Sequence, residues 1–192
     1  MKKRFLFVML LVTALATTAA AVQREQQLLS GKLIRLHVVA NSDSPEDQRI
    51  KLLVRDAVLR VTDGVNREEL AQSIPEIERA AKACLQKQGC DDAVRVKLGV
   101  ERFPTKSYDN FALPSGVYQS LRVTIGEGAG QNWWCVVFPS ICFRATASEL
   151  EEAAVSAGFT EEELALITSR NGGYELKFKC MEWLEKMKGI FY

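Results

Sequence analysis

The chain has 192 residues, of which 47% are hydrophobic and 26% charged, and a formal net charge of +1. That balance suits one ordinary globular domain and excludes a disordered chain. It also excludes a general nucleic-acid binder, which carries a large basic excess, and no run of like charge marks an electrostatic membrane patch.

Lys2, Lys3 and Arg4 precede an apolar stretch from Phe5 to Ala16, and small residues follow from Thr17 to Ala21, with Ala19 and Ala21 spaced as an A-x-A site. This is the order of a secretory signal peptide: a basic end that stays cytoplasmic, an apolar segment for the translocon, and small side chains that fit the peptidase. Phe5 to Val22 is also nearly long enough to span a bilayer, so an uncleaved anchor is the alternative. Either way the body of the chain is expected outside the cytoplasm. The expected organisation is a signal or anchor over 1–21, a polar lead-in over 22–32 and a single exported domain over 33–192.

Residues 33–40 alternate Leu36, Val38 and Ala40 with Arg35, His37 and Val39, which predicts a strand. A helix entry follows, with Ser44 as N-cap, Pro45 at the first helical position and Asp47 three residues past the cap. Ile50, Leu53, Val54, Ala57, Val58 and Val61 keep helical spacing to about Thr62. A second helix is predicted over 67–88, with Pro75 breaking or kinking it near Ser73. Val94, Val96, Leu98 and Val100 then share one face of a strand whose other face carries Arg95 and Lys97, as a half-wet sheet requires.

Residues 103–116, with Pro104 and Pro114, read as a loop. Two strands, 117–126 and 132–138, are separated by the glycine-rich GEGAGQ and predict a hairpin over 117–138. Helices are predicted over 146–157, 160–169 and 174–187, the second opened by a capping box of Thr160 and Glu163. The sum is an α+β fold, a small antiparallel sheet with helices packed mainly on one face.

The five cysteines are Cys84, Cys90, Cys135, Cys142 and Cys180. An exported chain permits disulfides. Cys135 and Cys142 bracket a bend and form the best candidate pair; Cys84 and Cys90 straddle a helix end and come second. With one histidine and no C-x-x-C, neither a metal site nor a cofactor is expected.

His37, Asn41, Ser42 and Asp43 cluster at a strand end. A hydrolase would need His37 as base and Ser42 as nucleophile, but nothing in the sequence holds them together and no third group orients them. The plainer expectation is a strand-to-helix turn in which Asn41 and Asp43 make turn bonds. GEGAGQ has the glycines of a phosphate loop, but a strand follows it where such a loop needs a helix N-terminus. A turn requiring positive φ explains the glycines better. Trp133 and Trp134 must face opposite sides of their strand, so one fills the core and the other points outward or under a loop. An outward tryptophan is a good anchor for a protein contact.

Two blocks, LIRLHVVANSDSPEDQRIKLLVRDAV over 33–58 and FALPSGVYQSLRVTIGEGAGQNWWCVVFPSICF over 111–143, resemble the stage II sporulation protein R family of endospore-forming bacteria. The resemblance implies a non-enzymatic signal, made in the forespore and exported into the space between the forespore and mother-cell membranes. There it would switch on a membrane-embedded aspartic protease that processes pro-sigma-E. The expected partner is that protease, with no nucleic acid and no small-molecule cofactor. The two blocks carry more polar and aromatic residues than folding needs. His37, Asn41, Asp43, Asn132 and Trp133 or Trp134 are therefore the candidate docking residues. The competing expectation is a cell-envelope hydrolase or glycan-binding module, with GEGAGQNWW lining a sugar groove.

Overall fold

The computed structural model describes residues 2–108, 110–141, 146–168 and 179. In chain order the elements are α1 (Lys2–Gly31), β1 (Ile34–Val39), α2 (Pro45–Thr62), α3 (Leu70–Lys87), β2 (Val94–Phe103), β3 (Lys106–Ser107), β4 (Ala112–Leu113), β5 (Gly116–Ile125), β6 (Asn132–Phe138), α4 (Ala147–Ser156) and α5 (Glu161–Ile167). Strands β2, β5, β1 and β6 lie side by side in that order in one sheet, with helices packed on it. β3 and β4 make a separate two-stranded ladder within the stretch expected to be a loop.

Two features of the expected sheet are corrected. The outer ladders, β2 with β5 and β1 with β6, are antiparallel, but the central pair β1 and β5 is parallel. The direction follows from the connection. Helices α2 and α3 carry the chain away and back, so β2 runs opposite to β1, and β5, antiparallel to β2, regains the direction of β1. The expected hairpin over 117–138 is also absent, because β1 lies between β5 and β6. All six residues of β1 are buried, whereas β2 leaves several exposed and β6 leaves Asn132 and Trp133 exposed. A strand without a wet face belongs in the interior of a covered sheet.

Alternation sorts β1 between two clusters. Ile34, Leu36 and Val38 join Val54, Val58, Ile77, Ala81, Leu121, Val123 and Cys135 under α2 and α3. On the opposite face, Phe103, Tyr118 and Val136 gather Leu29, Leu150, Phe159 and Ile167.

Ser44 caps α2 as expected, its hydroxyl accepting from the Asp47 amide at 3.1 Å. Helix α3 starts at Leu70 and runs through Pro75, so the expected break near Ser73 does not occur. The proline removes one amide close to the helix start, while buried Ile77, Ala81 and Leu85 hold the rest of the helix on the sheet. Capping boxes open α4 at Thr146 and α5 at Thr160. The helix expected over 174–187, with Cys180, falls outside the described residues apart from Lys179.

The polar lead-in is helical. Gln, Glu, Arg and Leu are strong helix formers, and they extend α1 to Gly31. Its last turns belong to the body: Leu29 is fully buried, and Gln26 occupies the space where a Cβ on Gly116 would stand. Next to it, the Lys32 ammonium meets Glu163 at 2.6 Å and donates to the Gly158 carbonyl at 2.8 Å. Burial pushes the Glu163 carboxyl up, but bonds from Lys32 and Thr160 outweigh it and hold the group below its usual value.

Candidate functional site

His37 projects from the middle of β1 onto the sheet face opposite α2 and α3, and only 5% of it is exposed. Its Nδ1 meets the Glu101 carboxylate at 2.9 Å and its Nε2 meets the Asn132 side-chain oxygen at 2.8 Å. The ring stacks on Trp134 and meets Phe103 edge-on. Glu101 also accepts from the Ser120 hydroxyl at 3.0 Å and from the Arg122 guanidinium at 3.0 Å. Burial raises the carboxyl, yet the bonds from His37, Arg122 and Ser120 together hold it below its usual value. Four strands therefore contribute to one polar row: Glu101 from β2, Ser120 and Arg122 from β5, His37 from β1 and Asn132 from β6.

Deeper along β1, Arg35 is fully buried, its guanidinium packed over Phe103 at 4.3 Å and Tyr118 at 5.0 Å. It donates to the Pro104 carbonyl and the Tyr108 hydroxyl, both at 3.4 Å, and its Nε has no partner among the described residues.

Chemically this row is a clasp. Both ring nitrogens of His37 are engaged, so neither is free to take a proton from a substrate. Ser120 is fully buried and bonds the carboxylate, and Ser42 bonds Asp47 at the far end of the loop; neither hydroxyl is paired with the imidazole. Among the described residues, no cluster of three or more His, Cys, Asp or Glu side chains could hold a metal ion.

Asn41 and Asp43 make loop bonds. The Asn41 side-chain oxygen accepts from the Glu127 amide at 3.0 Å, and Asp43 accepts from the Gln131 amide at 2.7 Å. Buried Lys51 completes the tie by donating to the Gln131 carbonyl at 3.0 Å, and burial lowers its pKa. The amides of Ala129 and Gly130 donate to the carbonyls of Asn41 and Ala40. GEGAGQ is thus folded across the exit of β1 and tied to it. Gly126 and Gly128 have positive φ, as the sequence suggested. Gly130 is needed for space, since a Cβ there would stand 2.2 Å from the Ser42 carbonyl oxygen.

The two tryptophans divide as alternation requires. Trp134 faces His37 and the second cluster. Trp133 faces the α2 side and remains 36% exposed, with the Arg55 guanidinium 4.3 Å over its ring. Of the candidate docking residues, Asp43, Asn132 and Trp133 are exposed, Asn41 and Trp134 are half-buried, and His37 is buried. Glu101, Ser120, Arg122 and Arg35 were not singled out in the sequence. The signal available was the lone acid Glu101 in a strand otherwise basic and apolar.

Cys84 and Cys90 are free thiols, which corrects the second expected pair; the hydrophobic cluster under α2 and α3 partly covers both. Cys135 is disulfide-bonded, and Cys142 lies outside the described residues.

Fold and site together define a single-domain α+β protein whose one histidine is locked into a cross-strand clasp. The family model described as stage II sporulation protein R matches residues 30–148. Stage II sporulation protein R of Bacillus subtilis (strain 168) is 33% identical over 196 aligned residues, which cover 88% of each chain. The chain belongs to the stage II sporulation protein R family, and its role lies in sporulation. No solved structure matches it.

Proposed function

We propose that this protein is an exported signal that activates a membrane-embedded aspartic protease from outside the membrane, leading to processing of pro-sigma-E. Family membership across 30–148, a span that covers the clasp and the tied loop, is the observation that carries the proposal. The apolar helix α1, compatible with a signal sequence, supports export from the forespore into the intermembrane space. The disulfide at Cys135 fits an oxidising compartment.

The protein acts by binding the active form of the protease better than the inactive form, since only differential affinity shifts such an equilibrium. Trp133 is the anchor, with Asn132 and Asp43 beside it as polar contacts. His37, Asn41 and Trp134 hold that surface in shape. A disulfide from Cys135 to Cys142 fixes the strand that carries it.

The test is reconstitution. Purified chain is added to the outer side of vesicles holding the protease, and pro-sigma-E cleavage inside is followed. Cleavage that requires the chain, and falls about tenfold or more with Trp133→Ala, is expected. Cleavage independent of the chain, or release of muropeptides from purified wall by the chain alone, would overturn the proposal.

A further inference from the structure

Among the described residues, strand β2 is an edge of the sheet and pairs with β5 alone. Its run Lys97–Val100 is exposed throughout. On the α3 side of the sheet, Leu98, Val100 and Val117 leave 36%, 69% and 44% of their surface exposed, beyond the part of the sheet that α2 and α3 cover. On the other side, no described residue comes within 4 Å of where a Cβ on Gly99 would stand. A long, open edge with apolar side chains is a template for another strand unless something blocks it.

Charge selects the occupant. Arg95 and Lys97 are exposed beside this run, while Glu101, the carboxylate of β2, is already bonded to His37, Ser120 and Arg122. A second copy paired edge to edge would bring two sets of Arg95 and Lys97 into one ladder. An acidic strand meets them favourably.

We infer that β2 takes up an extended, acidic segment of the partner protein by strand addition. Main-chain bonds form along Lys97–Val100, an apolar residue of the segment rests on Leu98, Val100 and Val117, and its carboxylates face Arg95 and Lys97. This contact lies on the opposite edge of the sheet from Trp133. It rests on the proposed function for the identity of the partner.

The experiment uses the same vesicle reconstitution with wild type, Val100→Asp, Lys97→Glu and, as a control at an exposed apolar residue elsewhere, Val155→Asp. Thermal melts check folding, and sedimentation checks the oligomeric state. Activation should fall about tenfold or more with Val100→Asp and Lys97→Glu, and stay at the wild-type level with Val155→Asp. Wild-type activation by both edge variants would overturn strand addition and leave the proposed function standing. A wild-type dimer that Val100→Asp disperses would overturn it in favour of a second copy. Failure of the wild type itself to activate would remove the proposed function, and this contact with it.

Discussion

The imidazole of His37 lies flat against the indole of Trp134, with ring centroids 3.9 Å apart and 23° between the planes. Stacked aromatics of this kind add about 0.5–1.5 kcal/mol to the burial of their surfaces. Trp134→Ala should therefore lower unfolding free energy by about 3 kcal/mol, through lost packing against His37 and Phe103. Trp133→Ala, which loses only an exposed ring and the contact with Arg55, should cost about 1 kcal/mol. Urea titrations of the two variants separate the roles. Equal losses would place Trp133 in the core and remove it as an anchor.

Acid should loosen the clasp. Because the Glu101 carboxyl lies below its usual 4.5 when folded, its stabilisation is fully present above that value. It is lost as pH falls through the folded value. Glu163, held down by Lys32, adds to the same window. Stability measured from about pH 5 to about pH 3 should fall less steeply in Glu101→Gln than in wild type. At neutral pH the variant should already be weaker, since His37 and Arg122 lose their charged partner.

Glycines in GEGAGQ should differ from glycine in β2. Gly130→Ala forces a Cβ against the backbone of Ser42 and should destabilise by about 1–3 kcal/mol. Gly99→Ala meets open space and should be neutral to within about 0.5 kcal/mol. Thermal denaturation of both variants reads the difference.

The end of α1 should behave as part of the domain. Leu29→Ala should cost about 2–5 kcal/mol. A chain starting at Val22 should melt close to the full-length protein, whereas one starting at Lys32 should melt well below it. A chain starting at Lys32 that melts like the longer one would show that this helix end is dispensable.

Elements were legible in the sequence and their neighbours were not. Ser44, Pro45 and Asp47 announced α2, and Thr160 with Glu163 announced α5, because caps are local. The partners of β1 are far along the chain, and short connections favour a hairpin that the fold does not use. IRLHVV alternates apolar residues with Arg35 and His37, the pattern of a strand with one wet face, so its interior position was not legible locally. The candidate site was half visible. Asn41 and Asp43 do make turn bonds, but their targets, Glu127 and Gln131, could not be read from spacing. Glu101 joins His37 across β5, through a register that only the assembled sheet defines.

The placement of β1 between β5 and β6 also bears on how such a chain is made. The first strand of the sheet to be made has one edge open until β5 has followed, as far as Thr124, and the other open until β6 has followed, as far as Phe138. Closure of so many distant contacts is slow, because the loop entropy must be met before the pairings form. The nascent polypeptide thus stays pliant until its later strands have been made, a property that suits the proposed export.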